Sequence, residues 1–261
     1  MQRERLNWLN YRDWQTGMSS AEGELRVLPE VWSPQLQNAR PVVVLLPPTY
    51  GDGKRRYPTL YMHDGQNLFD RATGFAGQEW GVDETLTQLA AEGHEAIVVG
   101  VWNTPLRFPE YNPFPHYEAG RGADYLAFLA DTLKPQIDSA FRTLPDAAHT
   151  GIMGSSMGGL ISLYGFFHRA DTFGFAGVMS PSVWVGGGSI YPYVSDRTHR
   201  AGRLYLDNGT RESSARKLHA TLLARGWRDG QDMRYVVEPE AEHNEAAWAR
   251  RLPDALRFLL G

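Results

Sequence analysis

Short apolar runs rich in valine and tyrosine alternate along this chain with longer stretches in which apolar residues recur every three or four positions. The first pattern is that of strands and the second that of helices packed over them. Strands are expected at residues 23–31, 41–46, 58–63, 96–102, 149–153, 175–179, 203–206 and 233–237. The inner runs are apolar nearly throughout, as strands covered on both faces must be. Helices are expected at 82–92, 123–139, 157–168, 212–225 and 245–260. In the second of these, Tyr125, Leu126, Leu129, Leu133 and Ile137 form one apolar stripe, and Pro135 is expected to kink or end the helix near its C-terminus. Strand and helix alternating in this way predict an α/β protein with a mostly parallel sheet. The segment 103–121, rich in proline and aromatics, is too long for a simple connection, and such loops usually carry function. No shift in composition marks a boundary, so residues 1–261 read as one domain.

Hydrophobic residues make up 42% of the chain and charged residues 21%, which is ordinary for a folded globular protein. A chain of 261 residues buries enough surface to fold without a metal or a disulfide. There is no cysteine, which excludes disulfide scaffolds, thiolate metal sites and cysteine nucleophiles. The net charge of −4 leaves no basic surplus to neutralise phosphates, so no nucleic-acid partner is expected. The longest apolar runs, such as 42–48, are too short to span a bilayer, and no membrane partner is expected. The N-terminus, from Met1 to Asn10, is interrupted by charged and polar residues and has no signal-peptide core, so a cytoplasmic location is expected.

Gly154-Ser155-Ser156-Met157-Gly158 fits Gly-x-Ser-x-Gly. The pentapeptide alone is common, and its context gives it weight: a strand is expected to end at Met153 and a helix to begin at Met157. A serine on such a tight strand-to-helix turn presents its hydroxyl above the sheet, and glycines at 154 and 158 remove side chains that would crowd it. The helix N-terminus then offers N–H groups to the oxyanion that forms on attack. A plain tight turn would also use these glycines, but would not need the serine between them. Ser155 lies one residue before the apex, leaving Ser156 as the candidate nucleophile.

A serine hydroxyl needs a positioned base, and on this kind of scaffold the chain order is serine, acid, histidine. Of the eight histidines, His63, His94, His116 and His149 precede the serine. His168, His199 and His219 fall at the end of the nucleophile helix, before a strand and inside a helix. His243 alone follows the last strand, in a short loop before the C-terminal helix. The acid belongs on the loop after the strand 203–206, where Asp207 and Glu212 both qualify. Asp207 sits at the strand end, where it would instead pin the turn; Glu212 lies beyond Gly209, where the chain is free to turn toward the histidine. Glu212 is favoured on position, although a glutamate at a helix start also has a purely electrostatic explanation.

The second oxyanion donor is expected from the loop His63-Asp64-Gly65-Gln66-Asn67, as the N–H of Gln66 beside that of Met157. Asp64, Asn67 and Asp70 invite a calcium-loop reading, which fails because Phe75 stands where the twelfth-position glutamate is required. Gly51-Asp52-Gly53-Lys54 fails as a phosphate loop for want of a first glycine at Pro48 and of a hydroxyl residue at Arg55. Trp102, Tyr111, Trp184 and Trp248 fall near the sheet's C-terminal edge and, with Asp64, are candidates to line a substrate pocket, core packing being the alternative. Arg107 and Glu110 are expected to pair with each other or to be solvated, with a substrate role as the alternative.

The stretches Tyr61 to Asp70, Gly154 to Leu160, Ser180-Pro181-Ser182-Val183-Trp184 and Glu242 to Trp248 together resemble the Putative esterase family, which includes enterochelin esterases, feruloyl and acetyl-xylan esterases of carbohydrate esterase family 1, S-formylglutathione hydrolase and the mycolyltransferases. The likeness runs from about Val27 to Leu260. It implies an α/β-hydrolase fold with a mostly parallel eight-stranded sheet, helices on both faces and a minimal cap. It implies a triad of Ser156, Glu212 and His243 with oxyanion N–H groups at Gln66 and Met157, and Gly209-Thr210-Arg211-Glu212 matches the acid position of several relatives. The expected function is serine carboxylic-ester hydrolysis of a small-molecule ester, with no cofactor or metal required and self-association left open. An acyltransferase using the same triad, or a binding protein that kept the fold without activity, are the alternatives.

Overall fold

The computed structural model describes residues 7–115 and 119–261. The leader-free reading of the first six residues and the setting aside of His116 lie outside the described residues.

In chain order the elements are β1 (Leu9–Asn10), α1 (Tyr11–Trp14), β2 (Glu24–Ser33), β3 (Asn38–Leu46), β4 (Thr59–His63), α2 (Val82–Ala90), β5 (Ile97–Val101), α3 (Arg107–Tyr111), α4 (Gly122–Ala127), α5 (Lys134–Ala140), β6 (Thr150–Ser155), α6 (Met157–His168), β7 (Phe175–Met179), α7 (Ile190–Ser195), β8 (Arg203–Gly209), α8 (Arg216–Ala224), β9 (Met233–Glu238) and α9 (Glu245–Leu260). The strands form one sheet in the order β1-β2-β3-β5-β4-β6-β7-β8-β9. β1 to β3 and the β3–β5 pair are antiparallel, whereas every pair from β5 through β4 to β9 is parallel. All eight expected strands form. The ninth, β1, is a two-residue addition pairing Leu9 with Val27, too short to leave a period in the sequence.

Residues alternate strictly between the two faces of a strand, and both faces here are buried. Val42, Val44 and Leu46 enter one core with Tyr61, Val99 and Val101. Val43 and Leu45 enter the other with Leu60, Met62 and Val98. The first core is covered by α4 to α8, through Tyr125, Leu129, Leu160, Val194 and Leu218. The second is covered by α2 and α9, through Leu86, Leu89, Leu252, Leu256 and Leu259. Covering both faces explains why these strands are continuous apolar runs.

Two helix expectations are corrected. Pro135 does not end its helix: a π-helical turn, Phe128–Leu133, precedes it, the Lys134 N–H reaches back to Leu129 O, and the chain stays helical to Ala140. The wider turn absorbs the missing N–H and the bulk of the ring. The helix expected from residue 212 starts at Arg216, because Glu212 is drawn into the loop above β8. The segment after β5 is also less irregular than expected, since it contains α3. Arg107 and Glu110 on that helix do not pair with each other. Glu110 is fully buried and takes two hydrogen bonds from Arg40, at 2.9 and 3.0 Å, and one from Asn38 at 2.6 Å, which anchors α3 to β3. No helix among the described residues is long and apolar enough to cross a membrane.

Candidate active site

Successive parallel strands deliver their C-terminal ends to one edge of the sheet, where α/β proteins bind ligands. β4 delivers Asp64 and Gln66, β6 delivers Ser156, β7 delivers Ser180, β8 delivers Glu212, and β9 delivers His243. A cleft of about 360 Å³ opens there, lined among others by Asp64, Gln66, Ser156, His243 and Trp248.

Ser156 sits between β6 and α6 with φ 58° and ψ −120°, a conformation that a side chain rarely adopts. Backbone bonds hold it there: its N–H donates to Met179 O at 3.0 Å, and its carbonyl accepts from Ser182 N at 2.9 Å and Leu160 N at 3.1 Å. A Cβ on Gly154 would lie 2.8 Å from His63 Cδ2, and one on Gly159 would lie 2.6 Å from Met179 O. The closest approaches are therefore at 154 and 159, while position 158, inside the pentapeptide, has more room at 3.3 Å. Met157 heads α6, where N–H groups have no intrahelical partner, and its side chain packs into the core. Ser156 Oγ lies 3.2 Å from Ser182 Oγ.

His243 Nδ1 is 2.5 Å from Glu212 Oε2. Glu212 Oε1 accepts from Ser180 Oγ at 2.7 Å and from the Gly209 N–H. Burial alone would raise the Glu212 carboxyl, but the bonds from His243, Gly209 and Ser180 together hold it below its ordinary range. Asp207, the alternative acid, is fully buried and turned away from the imidazole. Its Oδ1 takes the Ser180 N–H at 2.9 Å and its Oδ2 lies 3.0 Å from Arg251 Nε. The His243 ring stands edge-on to Trp248 at 5.1 Å, and Trp248 contacts Trp80 at 5.8 Å.

Gln66 is placed by Thr73 Oγ1, which donates to its carbonyl at 2.7 Å. Asp64 lines the cleft, and its carboxylate takes a two-point contact from Arg107, at 2.7 and 2.8 Å, with Asn103 Nδ2 at 2.7 Å. Of the aromatic candidates only Trp248 lines the cleft. Tyr111 is fully buried, its hydroxyl accepting the Asp64 N–H at 3.2 Å. Trp102 packs edge-on against Trp14 at 5.7 Å in the second core, and Trp184 is half exposed away from the lining. Phe75 and Trp80 line the cleft instead. They lie in the long connection between β4 and α2, a contribution no local pattern signals. Among the described residues, Glu79, Asp83 and Glu84 are near enough to one another to hold an ion, but they do not line the cleft.

His63 lies directly beneath the turn that carries Ser156, its Nδ1 2.8 Å from Tyr125 OH and its Nε2 buried without a partner among the described residues. Burial pushes its pKa down from 6.5 to about 3, so the folded protein holds it neutral. Below pH 6.5 the unfolded chain binds a proton that the folded one refuses, so stability falls with pH. The loss from this group is roughly 2 kcal/mol between about pH 6.5 and about pH 5. Urea unfolding at the two pH values should show this in the wild type and show it diminished in His63→Asn; equal pH dependence in both would refute the assignment.

The model of the family described as Putative esterase matches residues 33–259. Among curated proteins the chain is similar to the uncharacterized protein YbbA of Bacillus subtilis, 22% identical over 242 residues, 85% of this chain and 93% of that protein. It is also similar to the siderophore enterobactin esterase of Emericella nidulans, 29% identical over 214 residues, 75% of this chain and 67% of that protein. Among solved structures it resembles ferric enterobactin esterase from Salmonella typhimurium, with a TM-score of 0.73 at 22% identity, over 92% of this chain and 60% of that one. At that identity the structural likeness carries the fold alone.

Proposed function

This chain belongs to the Putative esterase family and is a carboxylic ester hydrolase, and from that premise we propose that it works by two-step acyl transfer through Ser156. The observation that carries the proposal is the pairing of His243 Nδ1 with Glu212 at 2.5 Å, which leaves Nε2 as the base in the cleft shared with Ser156.

Ser156 Oγ attacks the ester carbonyl while His243 Nε2 takes its proton. The resting Ser156 hydroxyl lies 3.2 Å from Ser182 Oγ, and the bond from a nucleophile to its base is often long or poorly aligned until substrate binds. Negative charge collects on the carbonyl oxygen, beside the N–H groups of Gln66 and Met157. One such donor is worth about 2.7–4 kcal/mol in the transition state. Collapse expels the alcohol, which takes the proton back from the imidazolium. Water, deprotonated by His243, then attacks the acyl-enzyme and releases the acid and Ser156. Glu212, kept ionised by its three donors, stabilises the imidazolium and sets its tautomer.

Water as acceptor is favoured over transfer to a second alcohol, because the His243 side chain is 42% exposed and solvent reaches the acyl-enzyme. The cleft volume suits a small-molecule ester, with Phe75, Trp80 and Trp248 offering apolar contact and Arg107 a polar edge.

A fluorophosphonate probe tests the nucleophile. Intact-mass analysis should show one adduct, mapped to Ser156, lost in Ser156→Ala and slowed in His243→Ala. Undiminished labelling of Ser156→Ala would overturn the proposal.

A further inference from the structure

We infer that Ser180 is a positioning residue of this site: its hydroxyl, fixed in one orientation by Trp248 and Arg251, holds Glu212 in the rotamer that meets His243. The inference rests on the triad reading above and extends it to residues for which the chemistry has so far no use.

A serine hydroxyl has one proton to give and two lone pairs to receive. At Ser180 both lone pairs have donors. Trp248 Nε1 lies 2.9 Å from the oxygen and Arg251 Nη2 lies 2.8 Å from it, and neither group can accept a hydrogen bond. The proton therefore goes to the third neighbour, Glu212 Oε1, at 2.7 Å. The guanidinium polarises the hydroxyl and strengthens that bond. Oε1 is thus occupied by Ser180 and by the Gly209 N–H, and Oε2 is left to the imidazole.

The backbone of Ser180 is held with equal care. Its φ is 41°, in the left-handed region, and its N–H donates to Asp207 Oδ1 at 2.9 Å. Such a conformation persists only where its surroundings over-determine it. Asp207 also lies 3.0 Å from Arg251 Nε, and Arg251 reaches Glu238 Oε2 at 3.3 Å and Glu212 Oε1 at 3.7 Å. One buried cation therefore lies beside three carboxyl groups, and the acid that does not face the histidine holds the residue that orients the acid that does.

The test is a double-mutant cycle on p-nitrophenyl acetate, read as kcat and KM separately. Ser180→Ala should lower kcat about 10- to 100-fold, the usual cost of removing an orienting partner, with KM changed less than about twofold. Ser180→Gly should lose as much while tolerating φ 41°, and urea midpoints measured beside kcat for both variants separate a folding defect from a positioning loss. In a Glu212→Gln background, Ser180→Ala should cost less than about twofold more, because a residue acting through Glu212 has nothing left to act on. Wild-type kcat in Ser180→Gly, or a full additional loss in the Glu212→Gln background, would overturn the inference while leaving the triad intact. A wild type no faster than Ser156→Ala would instead remove the triad reading and this inference with it.

Discussion

Replacing Ser156 by alanine is expected to reduce hydrolysis of p-nitrophenyl acetate and butyrate roughly 10⁴- to 10⁶-fold, down to what the cleft and its N–H groups can do without a nucleophile. The companion Ser156→Gly should be equally inactive and more stable than the wild type. Ser156 holds φ 58° and ψ −120°, which costs a residue with a Cβ about 1–3 kcal/mol and costs glycine little. After the extra chain entropy of glycine, roughly 0.5–1 kcal/mol, a net gain of up to about 2 kcal/mol should remain, seen as a higher urea midpoint at unchanged slope. Strain at the nucleophile is then a cost of presenting its hydroxyl above the sheet. Retained hydrolysis in either variant would sink the assignment of the nucleophile, and unchanged stability in Ser156→Gly would sink the strain argument.

Glu212→Gln is expected to lower kcat on the order of 10⁴-fold, the cost of a wrong tautomer and an unsupported imidazolium. Asp207→Asn should behave differently. It leaves an oxygen for the Ser180 N–H but puts an amide where a carboxyl, pushed up by burial to about 7, lies beside Arg251. Stability should fall by about 1–3 kcal/mol, with kcat within about tenfold of wild type because Asp207 reaches the imidazole only indirectly, through Ser180 or Arg251 and then Glu212. Comparing the two by kcat and by urea midpoint separates an acid that serves the chemistry from one that serves the scaffold. Collapse of kcat in Asp207→Asn with Glu212→Gln still active would reverse the two roles.

Much of this architecture is legible without coordinates, because the signals are local. Eight strands, the tight turn at Ser156 and a histidine between the last strand and the last helix follow from periodicity, glycine placement and chain order. The two-sided core is legible too, since a strand such as 42–46 can be apolar at every position only if both faces are covered. A faint signal for Arg251 also existed. It occupies the stripe Trp248, Leu252, Ala255, Leu256 and Leu259 of α9, so a charge at that register had to be buried and paired.

What only the tertiary structure decided is which distant groups meet. Whether Glu212 or Asp207 meets His243 turns on how a loop doubles back above β8, and five residues of spacing allow either. The aromatic candidates divide because Trp102 and Tyr111 point into cores assembled from segments far away along the chain, while Phe75 and Trp80 reach the cleft from a loop with no periodicity. Glu110 finds Arg40 on β3 rather than its neighbour Arg107, which goes to Asp64. Secondary structure and turns are set by interactions a few residues long, which a sequence displays. Partnerships among buried charges and hydroxyls are set by the convergence of five strand ends, which only the assembled sheet brings within hydrogen-bond distance.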